Sequence, residues 1–494
     1  MKNYLNTFIS QHHIPIGLGD ASQTINKSQL NDYITSFSNT LIQKNKFDKQ
    51  QPSIAILLDR ENTYFVSMFA TWSIGGYFIP LNTTWPEHRI LEILSHANPD
   101  LVICHKNSWY KNDNAIYIED IIIENKPIDN KEIFSTKQTD LAYIIYTSGS
   151  TGEPKGVCIT YEAYSAYIEW TKRYFNSYKQ NKALLITAEL TFDITMGDIA
   201  FALAFGTAIF VSPDPKNIFT HLKMIQAHKI DTFYSVPTTH QLLFSFVKQK
   251  RNLDISSISL ILSGGESFSP ALPKLIKTLL PEAHFYNVYG PTEVTINCVA
   301  CRLDNQLDSL NQYGVPIGKP FDHLNAIIID KDNQIITTDS STGQLCINGI
   351  QTMKGYLNDE HLTKNSFITI NNKLYYKTGD LVQKNKKNHL LYIFGRIDDL
   401  VKIKGYRINP NEITTILLEN EQISAATTIL IEEETPYFIS FIKGPNSLEN
   451  QLFKNISKKL PTYMHPKQLI FLSEFPLNNS GKIDKSALLK IVKQ

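Results

Sequence analysis

The chain has 494 residues, of which 42% are apolar and 19% charged, and a net charge of +1. That length predicts about two to four compact units, and the balance is that of a folded chain, not a disordered one. Near-neutral charge argues against a dedicated nucleic-acid binder, which needs a basic surplus to displace counterions, and leaves room only for local basic patches.

The N-terminal "MKNYLNTFISQHHIPIG" has neither the apolar core of a leader nor a run long enough to cross a bilayer, so a cytoplasmic protein without a membrane partner is expected. Next comes "SQLNDYITSFSNTLIQ" (28–43), with helical period, and then the strand-length runs "SIAILL" (53–58), "DLVICH" (100–105), "LAYIIYT" (141–147) and "ISLILSG" (258–264). Apolar runs alternating with helical segments predict βαβ units and buried, mostly parallel sheets, hence the α/β class. "QKNKKNHL" (383–390) reads as a solvated β-turn and "EEE" (432–434) as a surface loop. Near residue 395 the texture changes, and the remaining chain reads as a small α+β unit. The five cysteines, Cys104, Cys158, Cys298, Cys301 and Cys346, are odd in number and scattered, which fits a reducing compartment. Cys298 and Cys301 have C-x-x-C spacing without a second Cys/His pair nearby, so two small residues in a partly buried strand are expected there instead of a metal or redox pair.

After the run at 141–147 comes "TSGSTGEPKG", with unhindered backbone N–H groups, hydroxyls and one cation, Lys155. That inventory suits polyphosphate, yet no Ser or Thr follows the lysine, so it is not a Walker A loop. By itself the stretch could equally be a surface turn. Further along stand "FDITMGD" (192–198), "NVYGPTE" (287–293), "YKTGDL" (376–381), "GRIDDLVKIKGYRI" (395–408) and "NNSGKIDK" (478–485). The ordered series resembles the adenylate-forming superfamily, and within it the adenylation domains of nonribosomal peptide synthetases and the D-alanine carrier-protein ligases. "SIGGYFIPLNTTWPEHRI" (73–90) and "GQLCINGIQTMKGYL" (343–357) extend the likeness over nearly the whole chain.

The resemblance implies a large N-terminal domain (1–394) of mixed, mostly parallel βα subdomains, a hinge (395–398, with Asp398 at its pivot) and a small mobile α+β C-terminal domain (399–494). It implies that a carboxylate attacks the α-phosphorus of ATP, pyrophosphate leaves, and the acyl group passes to a thiol, a displacement that needs alignment and charge neutralisation. Thr147, Ser148, Gly149, Thr151, Gly152 and Lys155 would hold the β- and γ-phosphates. Asn287 would meet the adenine edge, Tyr289 stack on the base beside Gly290, Thr292 reach the α-phosphate, and Glu293 ligand Mg²⁺. Asp380, read as lying in a turn, would accept the ribose hydroxyls with help from Arg396. Arg407 would lie near the phosphates, and Lys482 would bridge the substrate carboxylate and the α-phosphate. Ser480 stands where the family generally has an asparagine, and Gln344 where a glutamate is usual; the first predicts a slightly different loop, the second a structural position.

Asp193 matches the aspartate that pairs with an α-ammonium in the amino-acid-activating branch, although an aspartate capping a helix would also explain it locally. The side-chain pocket carries over as Ile194, Gly197, Tyr234, Leu262, Gly264, Val288, Ile296 and Asn297, with the two glycines leaving space. No second carboxylate is among them, so a neutral amino acid, aliphatic, cyclic or small polar, is expected. Gly264 replaces the cysteine usual in D-alanine ligases, which counts against D-alanine. No phosphopantetheine-site or condensation motif occurs in the sequence. A free-standing, monomeric ligase loading a separate phosphopantetheinylated carrier protein is the expectation, with ATP and Mg²⁺. The alternatives are an acyl- or aryl-CoA ligase and an inactive nucleotide-binding protein.

Overall fold

The computed structural model describes residues 1–494 except 11–13, 45–46, 48–49, 125–126, 129–132, 148–153, 179–181, 251–252, 267, 308–309, 311–314, 339–340, 398–400, 404, 421, 424, 434, 477–482, 484 and 493–494, and except the side chains of 402, 407 and 486. The chain divides into two units. The first comprises Met1–Thr83, Asn98–Ile145 and Gly156–Ile397, the second Thr84–Ala97, Tyr146–Lys155 and Asp398–Gln494.

The apolar runs of the sequence become the parallel interior of two sheets. One has nine strands, in which Ile16–Gly19, Ala208–Val211, Ala183–Ile186, Thr232–Ser235, Leu260–Gly264 and His284–Tyr289 run parallel. Antiparallel Val299–Arg302 and Lys319–Pro320 close one edge, Thr24–Asn26 the other. The second sheet has seven strands, including Ser53–Leu57, Leu101–Cys104 and Leu141–Thr147. Most of these strands are buried along their whole length, because helices cover both faces, and such strands need no apolar–polar alternation. The helix Asn62–Ser73 is buried on nearly every side, and its Trp72 packs edge-on to Phe78 and beside Tyr164.

A third sheet differs in kind. Leu324–Ile329, Thr342–Gly349, Lys373–Lys384, Phe367–Ile370 and Leu391–Arg396 are antiparallel throughout. Its strands face the core on one side only, so Lys373–Lys384 alternates buried with less buried positions. Asp380 therefore lies within a strand, correcting the expected turn. Gly379 takes φ +74°, and a bulge at Leu381/Val382 lets the strand bend there without ending. The turn read at 383–390 joins this strand to the next.

In the second unit, Asn409 caps the helix Pro410–Leu418 by accepting from the Asn411 N–H, with Pro410 at the first helical position. Glu412 of that helix lies 3.6 Å from Arg89 of the helix Glu87–Ala97, both buried. A three-stranded sheet, Ala425–Ile431, Tyr437–Lys443 and Gln468–Phe471, packs Ile429, Ile439 and Phe441 against Leu488 of the helix Lys485–Val492. Among the described residues no helix is long and apolar enough to cross a membrane.

Candidate active site

The segment 287–297 links two clusters of polar groups. It leaves the parallel strand His284–Tyr289 at its C-terminal end, the edge where open α/β sheets present ligands. Gly290 is required, because a Cβ there would sit 2.5 Å from the Asn297 Cα and the Ile296 carbonyl oxygen. A single 3₁₀ turn, Thr292–Val294, is followed by Thr295 and Ile296 at φ +53° and +73°. Left-handed β-branched residues cost roughly 1–3 kcal/mol each and persist only where their surroundings dictate them.

Gln351 supplies much of that constraint. Fully buried, its Nε2 donates to the carbonyls of Asn297 at 3.0 Å, Val294 at 3.3 Å and Thr295 at 3.4 Å. The Thr295 hydroxyl donates back to the Gln351 carbonyl at 2.6 Å, and His323 Nε2 lies 2.5 Å from Gln351 Oε1. Met353 N–H meets the Glu293 carbonyl at 2.8 Å, and the Glu293 carboxylate, 1% exposed, accepts from the Tyr356 hydroxyl at 2.8 Å. The sequence assigned Gln351 no role, since an isolated glutamine has no motif value.

On one side of this segment stands Asp380. The antiparallel register sets it directly opposite Arg396, whose Nη1 donates to Oδ1 at 2.5 Å. Oδ2 accepts from the Tyr289 hydroxyl at 2.5 Å, and burial together with the Asp380 charge pushes that phenol far above its ordinary range. Each oxygen thus meets a protein donor, and a carboxylate oxygen can accept from two. Asn287 donates through Nδ2 to the Pro316 carbonyl at 2.8 Å.

The other cluster is the carried-over pocket. Asp193 is the first residue of the helix Asp193–Phe205, after Phe192 at the cap position. The helix N-terminus favours a carboxylate there. Gly197 lies one turn on, but a Cβ at 197 would come 2.6 Å from Tyr234 Cε1, so the tyrosine ring occupies the space that the glycine opens. At Gly264 a Cβ would meet the Val288 carbonyl oxygen at 2.7 Å and its Cγ2 at 3.0 Å. Neither glycine leaves the free space expected of it. Asn297 Nδ2 bridges the Tyr234 hydroxyl at 2.8 Å and that of Tyr167 at 3.0 Å, while the Tyr234 hydroxyl lies 3.2 Å from Oδ1. Tyr167, on the helix Tyr161–Tyr174, was not among the expected residues; the stripe Tyr161, Tyr164, Tyr167 at helical spacing was its only signal.

Thr147 ends one strand and Lys155 begins the next, flanking the glycine-rich loop. Ser148, Gly149, Thr151, Gly152, Asp398, Ser480 and Lys482 lie outside the described residues, as does the side chain of Arg407, whose backbone pairs with Lys402. Among the described residues no group of three or more His, Cys, Asp and Glu could hold a metal ion. All five cysteines are free and buried, and burial pushes the Cys301 thiol up to about 12, which makes it inert.

Comparison with known proteins decides the family, since residues 10–357 match the AMP-binding enzymes. The chain belongs to that family. This AMP-binding enzyme is 29% identical over 479 residues to tyrocidine synthase 2 of Brevibacillus parabrevis, covering 94% of this chain and 13% of that protein. It is 28% identical over 441 residues to the D-alanine–D-alanyl carrier protein ligase of Bacillus licheniformis, covering 86% of each. The chain thus spans a small part of the first of these relatives and most of the second. Its fold is that of the Vibrio cholerae adenylation domain AlmE, solved with glycyl-adenosine-5'-phosphate, at TM-score 0.85, 22% identity and 100% and 98% coverage of the two chains. It is equally that of o-succinylbenzoate CoA synthetase from Bacillus subtilis, at TM-score 0.85, 22% identity and 99% and 98% coverage. The chain is therefore an AMP-binding enzyme with an α/β fold.

Proposed function

We propose that this ligase joins an amino acid to AMP, releasing pyrophosphate, and then transfers the aminoacyl group to the phosphopantetheine thiol of a carrier protein. The observation that carries the reading is Asp193, a carboxylate at a helix N-terminus, one turn from a pocket otherwise walled by apolar and mutually paired neutral groups. Such a carboxylate suits an α-ammonium and has no use for a simple fatty or aryl acid. The likeness to a D-alanyl carrier protein ligase supports both the amine and the carrier.

In this reading the ribose hydroxyls donate to the Asp380 carboxylate, which Arg396 and Tyr289 hold in place. Asn287 Oδ1 accepts from the adenine amino group. Lys155 with Thr147, Ser148, Gly149, Thr151 and Gly152 holds the departing pyrophosphate, while Lys482 and Thr292 steady the α-phosphate as the substrate carboxylate oxygen bonds to phosphorus and the bond to the β-phosphate breaks. Glu293 suits Mg²⁺, which commonly takes one or two carboxylates and completes its shell with substrate phosphates and water. The bound ion would neutralise phosphate charge. Arg407 and the small C-terminal domain, turning about Asp398, would serve the thiol step.

A CoA ligase remains the second reading, supported by the shared fold with o-succinylbenzoate CoA synthetase. ATP–pyrophosphate exchange measured across amino acids and simple carboxylic acids separates the two. Exchange is expected with α-amino acids, and exchange only with acids lacking the amine overturns the proposal.

A further inference from the structure

We infer that the side-chain subsite of this ligase admits only small amino acids, with side chains no larger than those of alanine or serine, and that Tyr167, acting through Asn297, sets the limit. The inference rests on the aminoacyl-adenylating reading and narrows it.

The distance from the anchor to the floor is short. Asp193 and Gly197 are four residues apart on one helix, so they face the same way, one turn apart. An α-ammonium held at Asp193 directs its side chain toward a surface that begins at Gly197, and Tyr234 lies across that surface at 2.6 Å from where a Cβ would be. A second opening, at Gly264, is filled by Val288. Ile194, Leu262, Val288 and Ile296, which complete the wall, are each no more than 5% exposed.

Whether larger substrates could push the ring aside depends on what holds it. The Tyr234 hydroxyl is bound to Asn297, and Asn297 to Tyr167, all three at 3% exposure or less. Swinging Tyr234 away would strip buried polar groups of their partners, which is costlier than moving a phenylalanine of the same shape. Tyr167 is itself fixed between aromatic rings, 5.8 Å from Trp170 and 6.4 Å from Phe321 between centroids. Tyr167 is thus a positioning residue, acting on the pocket through Asn297 and, beyond it, Tyr234.

The test is ATP–pyrophosphate exchange with glycine, both alanine enantiomers, serine, valine, leucine and phenylalanine, using the native chain, Tyr234→Ala and Tyr167→Phe. A single methylene in a hydrophobic pocket is worth about 10- to 200-fold in discrimination. The native chain should favour glycine, alanine or serine at least about tenfold over leucine and phenylalanine. Tyr234→Ala should raise the leucine-to-alanine ratio of kcat/KM by at least about tenfold, with the KM for ATP unchanged. Tyr167→Phe, which keeps the ring and removes only the hydroxyl, should raise the ratio less and carries the test if Tyr234→Ala fails to fold. Leucine or phenylalanine preferred by the native chain, or an unchanged ratio in the folded variants, overturns the size limit while leaving aminoacyl adenylation intact. Exchange confined to acids without an α-amine overturns the aminoacyl reading and the size limit with it.

Discussion

Tyr143 shows how closely the pocket's surroundings are filled. Its ring is wholly buried on the strand Leu141–Thr147, packed edge-on to Tyr164, and its hydroxyl has no hydrogen-bond partner among the described residues. Burial first, and then the charge of Asp193, pushes this phenol far above its ordinary range, so it stays neutral. An unpaired buried hydroxyl costs roughly 1–3 kcal/mol, whereas the same shape without the oxygen costs nothing of that kind. Tyr143→Phe should therefore leave stability unchanged or raise it by about 1 kcal/mol, read as the urea midpoint at constant slope. A loss above about 1 kcal/mol would mean that the hydroxyl has a partner in solution, such as a buried water. The residue also marks a limit of sequence reading: its strand was legible from the run "LAYIIYT", but no pattern distinguishes an orphaned tyrosine from a paired one.

At the scale of elements, the loop 290–297 and the segment around Gln351 form one device. The loop carries Glu293, Ile296 and Asn297, and its two left-handed β-branched residues could not hold that shape alone. Gln351→Leu keeps the volume but removes the donor from three carbonyls and the acceptor from His323. It should cost about 2 kcal/mol in urea unfolding and lower kcat/KM for pyrophosphate exchange at least about tenfold. Activity within twofold of native would show that the loop keeps its shape without the clamp. The two halves of this device differ in legibility. "NVYGPTE" stood out because Asn, Tyr, Gly, Thr and Glu fall together in an ordered series of motifs, whereas Gln351 acts through backbone carbonyls far away in sequence. The same physics separates the sheets. The parallel strands were legible as unbroken apolar runs, since both faces are covered; the antiparallel strands of 324–396 mix buried and exposed positions, and Asp380 consequently read as a turn residue. The pocket glycines were read as empty space because sequence cannot show that the Tyr234 ring lies over Gly197.

For the whole molecule, buried ionisable groups set how stability follows pH, and they oppose one another. His221 and His240 are fully buried, each with one ring nitrogen that meets no partner among the described residues, and burial lowers them from 6.5 to about 4 and about 3. The unfolded chain takes up these protons below about pH 6.5 while the folded chain does not, so stability falls as pH drops through that window. Each histidine contributes about 1.4 kcal/mol per pH unit, or about 2 kcal/mol by pH 5. Asp198 acts in the opposite direction. It is 1% exposed, its Oδ2 has no hydrogen-bond partner among the described residues, and burial raises it well above 3.8 against a smaller lowering by Arg60. The folded chain keeps this proton where the unfolded chain releases it, so the stability it contributes is present in acid and lost as pH rises. Asp198 therefore opposes the two histidines on acidification. Asp198→Asn removes this opposition, and its stability should fall more steeply than that of the native chain on acidification. Urea unfolding of both proteins at pH 6.5 and 5 measures the difference directly. Parallel pH dependences would mean that Asp198 is ionised in the folded chain, which requires the nearby Arg60 to outweigh its burial.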